Sequence, residues 1–245
     1  MTARMRIPAE PPGRSHPGMS TDRIVAAALQ IVDTEGSQAL TMRRLGQALD
    51  RKVMTLYRYV PSKDALLDSV VARVLTDFVI NPAAADWRQE LRDLATHFRA
   101  LALAHPNAVP LLVTRPLTTP LGQRPPATLR PLENFLELLI RAGFSPANAL
   151  HAYRLFFGFL HGHILDELQE LIDNPDEADE LLRLGLHHLP RREFPRLRAL
   201  APELASYDGA AHLQQGVELM ITGLQSHFQP GMHQPATGNS AATSC

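Results

Sequence analysis

Residues 41–60 read Thr-Met-Arg-Arg-Leu-Gly-Gln-Ala-Leu-Asp-Arg-Lys-Val-Met-Thr-Leu-Tyr-Arg-Tyr-Val, and few backbones satisfy that order. Leu45, Leu49, Val53 and Leu56 fall at helical spacing on either side of a break at Asp50, which predicts two short helices around a tight turn. Thr41 is placed to cap the first of them, because its hydroxyl can accept from a free N–H of the opening turn. Asp50 suits the turn, being one of the few non-glycine residues that tolerate a left-handed backbone. The second helix is expected over 52–59, with Lys52, Met54, Thr55, Arg58 and Tyr59 turned away from the apolar anchors. Every charge in the stretch except Asp50 is positive. A braced helix with such an outer face suits the major groove of DNA, where Arg and Lys meet guanine edges or phosphates and Met meets a thymine methyl.

Helical spacing dominates the rest of the chain, and no alternating apolar and polar run stands out, so the fold class is all-α. Helices are expected over 21–35, capped by Ser20 and stopped at Gly36, and over 62–80 after a break at Pro61. Beyond Asn81-Pro-Ala-Ala-Ala the composition changes, and further helices are expected over 87–104, 126–142, 146–171, 176–188 and 211–228, with a loop over 120–126. The organisation read from this is a flexible arm over 1–19, a three-helix helix-turn-helix domain over 20–66, a larger helical ligand-binding and dimerisation domain over 67–229, and a disordered tail over 230–245.

Charge is divided along the same line. Residues 1–63 hold ten Lys or Arg against five Asp or Glu, a local +5, while the remainder holds fourteen against twenty, a local −6. A basic end on a near-neutral chain suits a polyanion gripped at that end only. The one cysteine, Cys245, allows no disulfide within a chain, and no signal core or run of about eighteen apolar residues is present, which points to the cytoplasm and no membrane.

Over 146–171 the apolar residues surround the helix axis, and Leu213, Val217, Met220, Leu224 and Phe228 form a second stripe near the C-terminus. A helix apolar on all sides must be covered on all sides, so two such helices per subunit predict a four-helix homodimer interface. The spacing of Gly158 and Gly162 admits a partner helix at that interface or leaves room for ligand.

Ile24-Val-Ala-Ala-Ala-Leu, Thr41-Met-Arg-Arg-Leu-Gly-Gln-Ala-Leu, Thr55-Leu-Tyr-Arg-Tyr-Val and Lys63-Asp-Ala-Leu-Leu together resemble the tetracycline-repressor (TetR) family over residues 20–75. The Leu-Tyr pair followed by a Lys that opens the next helix is the diagnostic part. The resemblance implies DNA contacts from Arg43, Thr55, Tyr57, Arg58, Tyr59 and Lys63, with Tyr57 and Lys63 on phosphates. With the outward residues above, the candidate DNA-binding set is Thr41, Arg43, Arg44, Lys52, Met54, Thr55, Tyr57, Arg58, Tyr59 and Lys63. The chain departs from the family at the turn, where Asp50 and Arg51 replace a Gly and an aliphatic residue, so an extra charge is expected to face DNA.

The second block resembles the drug-binding domain of the family's tetracycline-binding members through Trp87, Phe98, Thr114-Arg-Pro116 and Gly143-Phe144. Where those members hold polar drug contacts and a metal-binding His, this chain has Leu94, Leu111 and Phe135, and only Asp166 stays acidic. The resemblance therefore implies a small, more lipophilic effector, with no cofactor and no obligatory metal. The candidate pocket is lined by Leu94, Phe98, Leu111, Phe135 and Phe156, with Arg115, His151, His163 and Asp166 as orienting groups.

Chemistry of other kinds has little support. His161 and His163 lie two apart on a helix and cannot share a metal, whereas His163 with Asp166 or Glu167 has suitable spacing and carries the rival reading of a metal-dependent sensor or helical enzyme. No nucleophile elbow, phosphate loop or His-Glu-x-x-His pattern occurs. The expected function is a homodimeric transcriptional regulator, a repressor released by its effector from a palindromic double-stranded operator.

Overall fold

The computed structural model describes residues 19–118, 122, 124, 126–172, 188–204 and 208–228, and every regular element among them is helical. Helix α1 (Thr21–Glu35) is fixed at both ends: Ser20 accepts from the Arg23 N–H, and Gly36, at φ 84°, returns its own N–H to the Val32 carbonyl. In α2 (Met42–Leu49) the Thr41 hydroxyl accepts from the Arg44 N–H at 3.0 Å, and Asp50 closes the helix at φ 51° and ψ 52°. The turn residue is thus left-handed, as its chemistry allows.

Helix α3 is shorter than the expected 52–59. It is regular over Val53–Leu56 and continues as turns, with the Tyr59 and Val60 N–H groups both donating to the Leu56 carbonyl. Pro61 pushes the residue before it out of helical backbone, so the last turn tightens. Helix α4 (Lys63–Val74), capped by Ser62 on the Ala65 N–H, also stops short of residue 80. A 3₁₀ turn (Leu75–Asp77) follows it, and Phe78 and Ile80 then leave the helix to enter the core.

The remaining elements are α5 (Trp87–Ala104), a 3₁₀ turn (Pro106–Ala108), α6 (Val109–Thr118), α7 (Pro126–Arg141), α8 (Pro146–Ile172), α9 (Pro195–Ala199), α10 (Ala201–Leu204) and α11 (Gly209–Phe228). Helix α6 is not among the helices expected from the sequence, and prolines at 106, 110 and 116 stand before and within it. Pro110 lies in its first turn, where the missing N–H would have no partner in any case. The short α9 and α10 are likewise unexpected. Residues 1–18, the tail over 230–245 and all but the last residue of the helix expected over 176–188 lie outside the described residues.

Helices α1 to α4 pack around Ile24, Ala28, Leu45, Leu56 and Leu66, all fully buried. Behind them α5 packs on α8 and α11, α7 on α8, and α6 on both α8 and α4. Two connections join the halves. Helix α4 runs from one into the other, and the corner after α5 is hooked to α1, with His105 Nδ1 3.0 Å from Asp33 Oδ2 and Asn107 Nδ2 donating to the Asp33 carbonyl at 2.8 Å.

A buried ion pair pins α5 to α8: Arg99 Nε lies 3.0 and 2.9 Å from the two carboxylate oxygens of Glu167, itself 5% exposed. Helix α11 starts against that pair, and a Cβ on Gly209 would collide with the Glu167 carboxylate. The stripe on α11 expected to meet a partner turns inward instead, with Leu213, Val217 and Leu224 buried within the chain. Among the described residues of α8 and α11, the large apolar side chains left exposed are Leu150, Leu155 and Leu165 on α8 and Leu219 on α11, the last 76% exposed.

Candidate functional site

The basic head places its candidate residues on one short piece of chain. Arg43, Lys52, Met54, Tyr57, Arg58, Tyr59 and Lys63 are exposed, Met54 at 76%, while the Leu45, Leu49 and Leu56 side chains beneath are buried. Thr55 is half-buried. The Thr41 hydroxyl is occupied as the α2 cap, and Arg44 is held by Glu35, its Nε 3.1 Å from each carboxylate oxygen. That contact keeps the Glu35 carboxyl below the usual range and ties α2 to α1. Arg51 does not extend outward as expected: its guanidinium folds back onto the Asp50 carbonyl at 2.7 Å, locking the turn that a glycine would otherwise make.

Lys63 is the first residue of α4 and is exposed, so its charge adds to that of a helix N-terminus. That arrangement attracts a phosphate. Lys63→Ala should weaken binding to all duplexes alike and reduce the slope of log affinity against log salt by about one per half-site, measured by fluorescence anisotropy.

Immediately behind α4 lies a cavity that opens to solvent. Asp68 and Val71 of α4 form one wall, Leu75 and Phe78 continue it, and Phe98 of α5 and Leu112 of α6 close the back. Thr128, Leu129, Pro131 and Leu132 of α7, with Arg124 just before it, face Tyr153, Phe157 and His161 of α8. An apolar cavity with a few polar groups is the usual form of a small-molecule site.

Of the nine residues selected from sequence, Phe98 lines this cavity. Leu94, Leu111, Phe135 and Phe156 are buried in the surrounding core. His151 is exposed near the Phe228 ring, and Asp166 is exposed. His163 is buried between Phe159 and His212, with Nε2 3.6 Å from Glu167. The side chain of Arg115 lies outside the described residues. The residues missed had a signal: Tyr153, Phe157 and His161 recur every four positions and share one face of α8. Glu167 is committed to Arg99, and no group of three or more His, Cys, Asp or Glu among the described residues could hold a metal ion.

Burial holds His161 and His163 below their ordinary value of 6.5; for His163 the nearby Glu167 works against that shift. Each is therefore protonated more readily in the unfolded chain. Below about 6.5 the unfolded state binds the extra protons, so stability is full above that pH and is lost as pH falls. Thermal unfolding between neutral and mildly acid pH should show this loss, and His161→Phe should flatten it; a melting temperature that rises on acidification contradicts the assignment.

Both halves of the geometry have counterparts in known proteins. The family model described as bacterial regulatory proteins, tetR family, matches residues 24–70, and the one described as tetracyclin repressor-like, C-terminal domain, matches residues 81–228. The HTH-type transcriptional repressor DrrR1 of Streptomyces coeruleorubidus is 34% identical over 223 residues, covering 85% of this chain and 78% of that one. The class D tetracycline repressor protein of Escherichia coli is 28% identical over 214 residues, covering 84% and 89%. The crystal structure of the Streptomyces coelicolor TetR family protein ActR in complex with actinorhodin matches at a TM-score of 0.74 with 30% identity, over 86% of this chain and 97% of that one. The chain belongs to the tetracycline-repressor family of dimeric, operator-binding, small-molecule-responsive transcriptional regulators.

Proposed function

We propose that the chain is a repressor whose dimer grips a palindromic operator and lets go when a small lipophilic molecule fills the cavity behind α4. One observation carries this reading: the helix that opens on Lys63 at the basic head also supplies Asp68 and Val71 to the cavity wall. Anything that displaces that wall moves the head. Lys63 and Tyr57 hold phosphates, with Thr41, Arg43 and Arg44 bracing beside them, while Lys52, Met54, Thr55, Arg58 and Tyr59 meet the groove. The actinorhodin bound to ActR supports a small organic effector.

Dimerisation sets the distance between two heads. Leu155 and Leu165 of α8 are half exposed, and a Cβ on Gly158 or Gly162 would meet nothing within 4 Å, so a second helix can lie close against this face. The site of action is the cytoplasm, where the operator is; no described helix is long and apolar enough to cross a membrane.

Linkage supplies the test. A compound that releases operator must itself bind the operator complex more weakly by the same factor, for a coupling of about 1–3 kcal/mol. Aromatic compounds found by thermal shift should obey this reciprocity, and Thr128→Trp, which closes the cavity, should block them. Compounds that Thr128→Trp blocks but that leave operator affinity unchanged contradict the proposal.

A further inference from the structure

We propose that the effector is an uncharged, flat aromatic molecule with an oxygen at each end, held by the Tyr153 hydroxyl and the His161 ring. The inference rests on the cavity being the effector site. Tyr153, Phe157 and His161 stand about one turn apart in a row on α8, with ring centroids 4.7 Å and 6.1 Å from one to the next. Phe98 closes on His161 at 5.7 Å, and Phe78 on Phe157 at 6.1 Å. All five line the cavity, so a ligand meets one continuous aromatic surface. A flat ring system covers such a surface best, with offset or edge contacts to several rings at once.

The polar groups of the wall fall into two sets. Asp68, Arg124 and Thr128 each already have a partner of their own, so a charged ligand would have to break one of those contacts or be buried unpaired. Tyr153 and His161 are half-buried, and among the described residues neither the Tyr153 hydroxyl nor a His161 ring nitrogen has a hydrogen-bond partner. Burial raises the Tyr153 phenol, with the Arg124 charge working against that shift, so the hydroxyl keeps its proton and can donate. Burial lowers His161, which leaves a neutral ring with one donor and one acceptor nitrogen. Neither group carries a charge for a ligand to neutralise. An uncharged hydroxyl suits both, because it donates and accepts.

Spacing sets the length of the ligand. Eight residues of α-helix rise about 12 Å, so two oxygens on the order of 10 Å apart reach both groups, the span of a linear tricyclic aromatic. Both anchors stand on α8, which packs on α5, α7 and α11 and carries no part of the head. A ligand fixed there at both ends is tied to the body of the molecule. The wall left to give way is α4, whose Asp68 and Val71 border the same space and whose first residue is Lys63. The ligand then favours the state in which α4 has moved, which is the differential affinity that release requires.

The full-length dimer is titrated by fluorescence with three anthracenes of one shape and different ends: anthracene-2,6-diol, 2,6-dimethylanthracene and anthracene-2,6-dicarboxylate. The diol should bind more tightly than the dicarboxylate. Tyr153→Phe and His161→Phe should each weaken the diol about two- to tenfold while leaving the dimethyl compound within about twofold. In the double variant the two losses should multiply, because the groups act at separate ends of the ligand. The proposal is overturned if the dicarboxylate binds best, if no anthracene binds, or if either variant affects diol and dimethyl compound equally. Thr128→Trp separates the anchors from the cavity. If it leaves diol binding intact, the ligand sits elsewhere and the cavity is not the effector site; if it abolishes binding while the two Phe variants discriminate nothing, the cavity stands and the anchors fall.

Discussion

Arg58→Ala should lower operator affinity by roughly 30-fold to 10⁴-fold while leaving the melting temperature nearly unchanged. The side chain is exposed on the turn that continues α3, beyond the anchor Leu56 and beside Met54 and Tyr57. No packing holds it, so removing it costs the fold at most about 0.5 kcal/mol. An arginine meeting a guanine edge in the major groove contributes about 1–3 kcal/mol of discrimination, and a dimer on a palindrome loses that contact twice. The expected cost is therefore about 2–6 kcal/mol per operator. It should appear selectively on the operator and weakly on random duplex, the opposite of Lys63→Ala. Competitive gel shift with both duplexes separates the two; equal losses on both would assign Arg58 to the backbone instead of the bases.

Phe135→Ala carries the largest expected loss of stability, about 3–5 kcal/mol. The ring is fully buried on α7 and meets Tyr153, Phe156 and Phe157 of α8 at centroid distances of 5.6, 5.5 and 5.6 Å. Its removal leaves a void that three aromatic neighbours on one rigid helix cannot close. For a chain of this size that is a drop of roughly 6–20 °C in melting temperature. Tyr153 and Phe157 also line the cavity, so effector binding should weaken in the same variant, even where the protein remains folded. Melting followed by circular dichroism checks the first expectation and calorimetry the second; a shift below about 2 °C contradicts the packing described.

The head was legible in the sequence because its determinants are local. Ser20, Thr41 and Ser62 cap the helices they precede, and the left-handed Asp50 follows from what a short acidic side chain permits. Helix ends failed where distant packing decides them: Phe78 and Ile80 leave α4 for a core assembled by α5 and α8, and nothing in their own neighbourhood signals this. Prolines concealed α6, since a proline in a first turn and a proline in a loop read alike.

The cavity was the least legible part, for a related reason. Helix α8 is apolar around much of its axis, so periodicity groups Tyr153, Phe157 and His161 on one face without telling whether that face looks into empty space or packs on α5 and α7. Phe156 and Phe157 are neighbours in sequence, yet one is core and the other is wall. Resemblance guided the choice of Leu94, Leu111 and Phe135 and led to the shell around the cavity instead of its lining. His163 is likewise buried away from the cavity, 3.6 Å from the Glu167 carboxylate that pairs with Arg99.

Selection of duplex from the protein's own genome, followed by footprinting of the enriched fragments, tests the central claim most directly. Two cationic heads held by one dimer should recover a sequence with dyad symmetry, protected as two half-sites whose centres lie about 10–10.5 base pairs apart or a multiple of it. A single asymmetric site protected by a monomer, or no enrichment at low salt, would contradict the account.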